Sequence, residues 1–398
     1  MSLSIKIQKA RRLIEKNGLG AGGKIVFGYL RDYARALFVS SGDILFITGG
    51  IGDKAHYRAF GVAEELERHG FLCAVTVSDN PRLLKLVDLF KVFIFHKVSD
   101  SATTAELVAE IKKQQKEIIF DTDDLDYDPQ QLVHMDYFSK ITPTEKAEYA
   151  KGIGAEILAD PYVRTATTTV TYLAEKLRQK NKNVLVVSNK LSERELEIAE
   201  KIVTQKKTSD GYLRLGYYSG TPSHDKDFAT VVPAVAEILE KYPQAKLVLA
   251  GSLDLDGRLD KFANRIEKLP RVPRDEYYAN VAKCDINIVP LEMGNPFCEA
   301  KSEIKFIEAG ILGIPTVAVR NRTFSEAISD AEDGFLAATI EEWAARLGKL
   351  IEDANLRQEM GRKARQKVFR DYTNRNSHST DYYAYLEKIL GQDKGCKK

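Results

Sequence analysis

Residues 120–129, "FDTDDLDYDP", hold five aspartates directly behind the apolar run "EIIF". Carboxylates two positions apart, as at Asp121 and Asp123, can converge on a divalent cation that would then hold the phosphates of a nucleotide. The same side chains, with Asp124, could instead line a ligand cleft or cap a turn and a helix. The residues by themselves do not decide between these interpretations.

A second constellation lies in "KSEIKFIE", residues 301–308. We expect a helix that starts near Ala300, with Ser302 in its first turn and Lys301, Lys305 and Glu308 on one face at i, i+4 and i+7. Ammonium groups, a hydroxyl and the amides of a helix start favour a diphosphate. Glu308 could accept hydrogen bonds from a ribose diol. The alternative is an ordinary surface salt bridge, which has the same spacing.

A glycine turn in "FITGGIGDKAHYRAF" follows a predicted strand and precedes a predicted helix that Asp53 could cap. Gly49 and Gly50 would let backbone amides approach a phosphate or a sugar closely, and a plain tight turn is the alternative. His56 and Arg58 follow the turn.

These residues need elements that position them, and apolar runs predict those elements. The runs are continuous rather than alternating, which is typical of parallel strands covered on both faces. Two such series point to an α/β protein with two doubly wound domains, whose ligands bind at the carboxyl ends of the strands. The predicted strands are 43–50, 73–79, 91–98, 117–124 and 184–189, then 213–220, 246–252, 285–291 and 315–319.

Length and composition agree with two domains, because 398 residues can form two cores. No apolar stretch approaches a membrane span, and the first residues lack the apolar core of a secretory signal. The four cysteines have no Cys-x-x-Cys spacing, which argues against a zinc site and suits a reducing cytoplasm.

The segment 1–40 is strongly basic. It contains eight Lys and Arg and two acids, 8 − 2 = +6, whereas the whole chain has a net charge of +2. Apolar residues lie between the basic ones, so the segment could contact an anionic membrane surface. The alternative is a terminal helix that packs on the domain with a solvated basic face.

Several segments of the second half resemble, in order, the donor domain of the "glycosyl transferases group 1" family, in a family 4-like branch with the pattern Lys-Ser-x-Ile-Lys-x-x-Glu. The resemblance is good over about 210–372 and continues in patches over about 43–190, where "IIFDTDDLDYDP" resembles an Asp-x-Asp-Asp-Leu strand end. It implies the GT-B architecture, in which two Rossmann-like domains face a central cleft. The matching segments are 215–243, 246–252, 269–291, 284–319 and 330–372.

The resemblance also implies roles for individual residues. Glu308 matches the family's ribose-contacting acid, but Ala300 stands where the family has its sugar-contacting acid, one position from Glu299. Lys226 matches a phosphate-binding lysine, and Thr221 stands at the position of an arginine. The expected donor-binding residues are Thr221, His224, Lys226, Glu299, Lys301, Ser302, Lys305 and Glu308. The expected acceptor-side residues are His56, Asp123 and Asp124, as candidates for acceptor binding or a general base, with the glycine loop Gly49, Gly50 and Arg58.

An Asp-x-Asp metal site belongs to the other large class of glycosyltransferases, GT-A. GT-B enzymes generally neutralise the leaving diphosphate with a helix start and basic side chains, so we expect neither a metal nor a cofactor. If the enzyme inverted, an acid or a histidine would be the general base. If it retained, as the family does, a donor phosphate oxygen could take the proton.

The expected function is transfer of a hexosyl or deoxyhexosyl group from a nucleotide-diphosphate-sugar to a carbohydrate or lipid-linked glycan, as in polysaccharide biosynthesis. We expect a cytoplasmic protein, free or peripheral at the inner face of the cell membrane, without nucleic-acid partners. The main alternative is a non-catalytic sugar-nucleotide or glycan-binding subunit. Others are a metal-dependent GT-A-like enzyme, a phosphorylase or an epimerase.

The expected organisation has five parts. They are a basic helical extension (1–42), an acceptor-side domain (43–195), a linker (196–210), a nucleotide-sugar domain (211–372) and a C-terminal helix with a tail (373–398).

Overall fold

The computed structural model divides the chain into two compact units. Unit 1 comprises Met1–Leu132, Ile141–Ser192 and Ser377–Lys398, and unit 2 comprises Val133–Lys140 and Glu193–Asn376. Thr221, His224 and Asp53 lie outside the described residues, as do residues 1–21, 24 and 25 of the basic segment 1–40. The residues described are 22–23, 26–52, 55–136, 138, 141–205, 210–218, 225–251, 253, 256–270 and 272–391.

Unit 1 is built on a six-stranded sheet in which all paired strands are parallel. The sheet order is β2-β1-β3-β4-β5-β6, so the direction of winding reverses between β1 and β3. The strands predicted from apolar runs are confirmed. β5 has the sequence Thr-Ala-Thr-Thr and lacks such a run. The strands are β1 (Ile44–Thr48), β2 (Cys73–Val77), β3 (Val92–His96), β4 (Glu117–Thr122), β5 (Thr165–Thr168) and β6 (Asn183–Val186).

Helices connect the strands of unit 1, and two of them begin at side-chain caps. The Ser101 hydroxyl accepts a hydrogen bond from the backbone of Thr104, and Thr142 forms a capping box with Glu145. A π-helical turn, His56–Gly61, directly precedes the α-helix Val62–Arg68, and 3₁₀ turns lie at Val87–Leu89 and Pro129–His134. The α-helices are α1 (Val62–Arg68), α2 (Leu83–Leu86), α3 (Ala102–Lys113), α4 (Pro143–Lys151), α5 (Ala155–Ala159) and α6 (Thr171–Arg178).

Unit 2 has a second six-stranded parallel sheet, with the order β12-β11-β10-β7-β8-β9. This is the strand order of a dinucleotide-binding Rossmann domain, and its winding reverses between β7 and β10. The predicted doubly wound α/β fold is therefore confirmed in both units. The strands are β7 (Leu213–Tyr218), β8 (Ala245–Ala250), β9 (Ile266–Leu269), β10 (Ile286–Val289), β11 (Thr316–Val319) and β12 (Phe335–Ala337).

The helices of unit 2 lie before the first of these strands, between them and after the last of them. A 3₁₀ segment, Gly257–Arg265, precedes β9. The α-helices are α7 (Glu193–Val203), α8 (Asp225–Ala229), α9 (Val232–Lys241), α10 (Arg274–Val281), α11 (Pro296–Glu299), α12 (Ile304–Gly310), α13 (Arg322–Ala327), α14 (Ile340–Glu352) and α15 (Ala354–Asp371).

The predicted linker 196–210 begins inside a helix, which corrects the expected boundary. α7 runs to Val203 and belongs to unit 2, and the chain passes between the units at Ser192–Glu193. Leu196 and Ala199 are buried on one side of this helix together with Glu195, while its other charged residues are exposed or half-buried. A charged amphipathic helix has the composition of a linker, and this explains the difference.

The terminal helix predicted within 373–398 is observed as α16 (Thr380–Leu390). It belongs to unit 1, although the preceding residues belong to unit 2. Tyr382, Leu386 and Leu390 pack in the same hydrophobic core as Phe46 of β1. The segment 373–398 is therefore divided between the two units rather than forming a part of its own.

The described part of the basic N-terminal segment contains helical residues 26–37. Its end is attached to unit 1, because the Thr76 hydroxyl donates to the carbonyl of Ala36 at 2.7 Å. Phe27 and Leu30 of this helix are 69% and 57% exposed. Among the helices that the structure describes, none has the length and apolarity needed to cross a membrane.

Candidate functional site

The carboxyl ends of β7 and β10 form the switch point of the unit 2 sheet, where ligands of such sheets bind. The segments that follow these two strands are tied together by Asp227 of α8. Its Oδ1 accepts a hydrogen bond from the backbone of Glu292 at 3.0 Å and one from the thiol of Cys298 at 3.2 Å. The loop after β10 is thereby held beside the helix after β7.

The predicted helix starting near Ala300 is in fact two short helices. The Asn295 side chain caps α11 by accepting from the backbone of Phe297, and Pro296 is its first residue, so helix formation begins earlier than expected. A break follows, and α12 starts at Ile304. Lys301 and Ser302 are half-buried in this break, ahead of the helix instead of in its first turn.

Lys305 lies in the first turn of α12, and its Nζ donates a hydrogen bond to the backbone carbonyl of Tyr218, the last residue of β7. The side chain therefore reaches the strand end at the switch point. Burial lowers the pKa of Lys305, and the nearby charges of Glu308 and Asp227 oppose this effect.

Glu308 lies one turn further along α12 and is only 6% exposed. Its Oε2 accepts a hydrogen bond from the Tyr277 hydroxyl at 2.8 Å, and its Oε1 accepts from Arg274 Nη2 at 3.3 Å. Burial raises the pKa of Glu308 above the ordinary value, against the opposing effects of Arg274, Lys305 and the Tyr277 hydrogen bond. The structure thus brings Lys305 and Glu308 together next to two side chains of α10.

Lys226, in α8, is exposed and pairs with a segment that precedes Ile141 in the chain. Its Nζ lies 3.4 Å from Asp136 Oδ1. The Asn295 amide donates to the carbonyl of His134 at 3.0 Å. Residues 133–136 of unit 2 therefore pack beside the switch point, and His134 belongs to this segment.

Glu299, an expected donor-binding residue one position from Ala300, is the last residue of α11 and is half-buried. Its backbone carbonyl accepts a hydrogen bond from the Thr323 hydroxyl at 3.3 Å. Because α11 ends at this residue and α12 starts at Ile304, Glu299 lies on a different helix from Glu308.

The glycine loop of unit 1 lies at the corresponding switch point, where β1 and β3 end. A side chain on Gly49 would place Cβ 1.9 Å from the carbonyl oxygen of Lys97, whereas one on Gly50 would meet open space. Lys97 itself has a left-handed φ of 49°. His56 is half-buried at the start of the π-helical turn and packs edge-on against Tyr57. Gly49 is thus required for a close backbone approach.

The aspartates behind β4 surround a lysine. Lys97 Nζ lies 2.8 Å from Asp123, 3.2 Å from Asp126 and 3.7 Å from Asp124. Burial would lower the pKa of Lys97, but the three carboxylates raise it well above the ordinary value. Burial would likewise raise the pKa of Asp123, but Lys97 and His96 hold it well below its usual range, which does not suit a general base at neutral pH. Within the described residues no three His, Cys, Asp or Glu side chains form a group that could hold a metal.

Asp121 binds to a different partner. Its carboxylate accepts hydrogen bonds from Arg58 Nη2 at 2.5 Å, from the Thr167 hydroxyl at 2.6 Å and from His96 Nδ1 at 2.8 Å. Arg58 also donates to the carbonyl of Val187 and is 1% exposed. The expectation that Arg58 meets an acceptor is therefore corrected, because its guanidinium is the buried counter-charge of Asp121.

Sequence reasoning missed the side chains that hold the predicted ones, above all Arg274, Tyr277 and Lys97. One signal was available for Arg274, which is the first residue of α10. A positive charge at a helix amino terminus opposes the helix dipole, so an arginine there suggests a role elsewhere. For Tyr277 and Lys97 no local pattern indicates their partners, which are distant in the chain.

Comparisons with known proteins agree with this architecture. Residues 200–367 match the family model "Glycosyl transferases group 1". Similar solved structures include HepE of Anabaena in complex with UDP and glucose (14% identity, 88% of this chain, 99% of that chain, TM-score 0.55). Others are sucrose-phosphate synthase of Thermosynechococcus elongatus (14%, 88%, 97%, 0.56) and a glycosyltransferase of Rickettsia africae ESF-5 (13%, 88%, 99%, 0.58).

A comparison with curated protein sequences finds no significant match. At the identities given above, likeness to solved structures establishes the fold alone, and the family model matches the part of the chain between residues 200 and 367. With its two parallel six-stranded sheets the chain has the GT-B fold, and its residues 200–367 are similar to the glycosyl transferases group 1 family.

Proposed function

We propose that the protein transfers a hexosyl or deoxyhexosyl group from a nucleotide-diphosphate-sugar to a carbohydrate or lipid-linked glycan. The observation that carries this proposal is the pair Lys305 and Glu308 on α12, beside the carboxyl end of β7. An ammonium group suits a diphosphate and a carboxylate suits a diol, so one helix offers both halves of a nucleotide-sugar. HepE, a structural neighbour, is in complex with UDP and glucose, which favours testing uridine donors first.

Transfer requires that the bond between the sugar anomeric carbon and the diphosphate oxygen breaks while the acceptor oxygen bonds to the same carbon. Negative charge develops on the leaving diphosphate, and Lys305, Lys301 and Lys226 would stabilise it. In a retaining reaction the acceptor proton passes to the departing phosphate oxygen. The lowered pKa of Asp123 supports this route over base catalysis by that residue. Asp124 and His56 are then proposed to contact the acceptor.

We propose that this chemistry requires no metal. Lys97 neutralises part of the charge of Asp123, Asp124 and Asp126, so these carboxylates already have an internal cation. Asp121 has its own in Arg58. The lysines of unit 2 can supply the charge that a GT-A enzyme obtains from its cation.

The test is thermal stabilisation by a panel of nucleotide-sugars, with and without EDTA. One donor is expected to raise the melting temperature, equally in EDTA, and Lys305→Ala is expected to abolish the shift. Lys246→Ala is the matched control, because Lys246 is also a partly buried lysine of unit 2 but pairs with Glu267 in β8–β9. An unchanged shift in Lys305→Ala would remove the phosphate site from α12, and loss of the shift in EDTA would contradict metal independence.

A non-catalytic sugar-nucleotide or glycan-binding subunit is the second candidate. Ala300, at the position of the family's sugar-contacting acid, favours it. Such a subunit would show the same stabilisation but neither donor hydrolysis nor transfer. Release of free nucleoside diphosphate from the stabilising donor would therefore identify the protein as an enzyme and exclude the non-catalytic subunit.

We also propose peripheral contact with an anionic membrane through residues 1–40. The support is the excess of basic residues in this segment, together with the exposed Phe27 and Leu30 on its described helix. Apolar side chains in a basic helix are typical of interfacial binding.

A further inference from the structure

Glu308 belongs to a hydrogen-bond network that joins three helices of unit 2. Tyr277 and Arg274 of α10 each donate to one of its oxygens, at 2.8 Å and 3.3 Å. Arg274 Nε also donates to Glu195 Oε1 of α7 at 2.6 Å. The Tyr278 hydroxyl donates to the same Glu195 oxygen at 3.2 Å. One guanidinium therefore bridges two carboxylates.

Both carboxylates of this network are buried, which makes the bridging cation necessary. Glu195 and Glu308 are each less than a tenth exposed, and Tyr278 is fully buried. Two like charges so placed raise each other's free energy unless a cation lies between them. Arg274 is that cation, and Lys305 on α12 adds a second positive charge near Glu308.

We propose that Arg274 and Tyr277 are positioning residues for donor binding, which fix the Glu308 carboxylate so that it receives both hydroxyl groups of a ribose. The inference rests on the proposed function. Arg274 donates to Oε1 and Tyr277 donates to Oε2, so each oxygen of the carboxylate is held by one side chain of α10. A carboxylate held at both oxygens has a fixed plane, and a fixed plane is what recognition of the vicinal 2′ and 3′ hydroxyls requires.

The network could instead serve only to join α7 to α10, and the chain offers a matched control for this. Arg194 of α7 donates to Asp275 of α10 at 2.9 Å, between the same two helices but at the surface. Arg194→Gln removes the same kind of bond without touching Glu308. Any effect that comes from helix packing alone should appear in both arginine variants.

The experiment is calorimetric titration of the full chain with UDP, ADP and GDP and with their 2′-deoxy forms. The wild type is expected to prefer the ribonucleotide of its own base. Arg274→Gln and Tyr277→Phe are each expected to weaken ribonucleotide binding about tenfold or more, the usual effect of losing a hydrogen bond to a charged group. Binding of the 2′-deoxy form should change much less, so both variants should prefer the ribonucleotide over its 2′-deoxy form less than the wild type does. Arg194→Gln should leave the preference for the ribonucleotide unchanged.

Nucleotide affinity measured over a pH series separates a role in positioning Glu308 from a role in packing, because loss of packing would not shift the pH at which affinity falls. The groups that face Glu308 are Arg274 and Tyr277 of α10, Lys305 of α12 and Glu195 of α7. Burial and Glu195 favour the protonated form of Glu308, and the other three oppose it. Ribose binding needs the ionised form, so affinity falls as the pH drops through the pKa of Glu308. Without Arg274 this pKa rises, and the fall should begin at higher pH in Arg274→Gln than in the wild type or Arg194→Gln.

Two results would overturn the proposal while leaving the proposed function intact. The first is equal loss of ribonucleotide and 2′-deoxynucleotide binding in Arg274→Gln and Tyr277→Phe. The second is an unchanged pH midpoint in Arg274→Gln. If Arg274→Gln does not fold, the ribose preference of Tyr277→Phe decides alone. Absence of binding of all six nucleotides to the wild type would instead overturn the proposed function, and this proposal with it.

Discussion

At the residue scale, buried charges in this protein occur in small clusters that contain their own counter-charges. Arg58 forms an ion pair with Asp121, and Lys97 forms one with Asp123. Arg274 forms one with Glu308. Buried pairs of this kind add little net stability, since desolvation offsets their attraction, but removal of one partner is strongly destabilising. Their contribution here is to hold side chains in one geometry at the carboxyl ends of the strands.

The pair of Arg58 and Asp121 leads to a prediction about acid stability. Burial alone would raise the pKa of Asp121, but Arg58 and His96 lower it to about 2, below the value of about 3.9 for an unfolded chain. Folding therefore favours the ionised form. The corresponding stability is present above about pH 4 and is lost as the pH falls towards 2. Asp121→Asn should weaken this pH dependence and lower the free energy of unfolding at pH 7 by about 3–5 kcal/mol, because Arg58 stays buried without its carboxylate.

The measurement is hydrogen exchange of β1, β3 and β4, which lie in unit 1. Tryptophan fluorescence would follow the unfolding of unit 2 instead, because Trp343, the one tryptophan of the sequence, lies there. Glu110→Gln is the control in unit 1, since Glu110 pairs with Lys113 at the surface and such pairs contribute little. Identical acid profiles of exchange in Asp121→Asn and the wild type would contradict the prediction.

At the element scale, each sheet places its polar groups where the winding direction reverses. In unit 1 this brings the turn after β1 against the residue after β3, and in unit 2 it brings the helix after β7 beside the loop after β10. Parallel strands end at the same edge, so chain segments far apart in sequence meet there. Glycine is needed where the two backbones touch.

This close approach predicts opposite outcomes for two adjacent glycines. Gly49→Ala would place a methyl group 1.9 Å from the Lys97 carbonyl, whereas Gly50→Ala would meet nothing within 4 Å. Gly49→Ala must displace the left-handed Lys97 and is expected to destabilise unit 1 by about 1–3 kcal/mol. Gly50→Ala should stay within about 0.5 kcal/mol of the wild type. Hydrogen exchange of β1 and β3 compares them, and equal protection in the two variants would refute the close contact.

At the scale of the whole molecule, both units are assembled from separate stretches of chain. Residues 133–140 belong to unit 2 although unit 1 continues after them, and α16 returns to the core of unit 1 from the end of unit 2. Neither unit is therefore a single continuous segment, and expressing 43–195 alone would remove Tyr382 and Leu386 from the core of unit 1.

The proposed membrane contact is also a property of the whole molecule, because it concerns an exposed helix of a large protein. Leu30→Ser is expected to weaken cosedimentation with vesicles of phosphatidylglycerol about threefold to tenfold, the effect of losing partial burial of a leucine. Leu72→Ser is the control, since Leu72 is an exposed leucine of unit 1 outside the basic segment (63% against 57% for Leu30). Equal effects of the two variants, or equal binding to uncharged phosphatidylcholine vesicles, would contradict the proposal.

The sequence by itself determined the α/β class, the position of most strands and the candidate residues of "KSEIKFIE". Continuous apolar runs identify buried parallel strands because both faces of such strands are covered. The same logic failed for β5 (Thr-Ala-Thr-Thr), β9 (Ile-Glu-Lys-Leu) and the three-residue β12, which have too few apolar residues to form a run. It also failed for α7, whose charged outer face has the composition of a linker.

Only the tertiary structure decided what the aspartates of "FDTDDLDYDP" do and what holds Glu308. The carboxylates face Lys97 and Arg58, which lie 26 and 63 positions from Asp123 and Asp121 respectively (123 − 97 and 121 − 58). Glu308 is held by Arg274 and Tyr277, and its network reaches Glu195. A side chain's type and spacing indicate the chemistry available to it. Its partner, charge state and exposure depend on which distant segments the sheet order brings together, and no local pattern of residues contains that information.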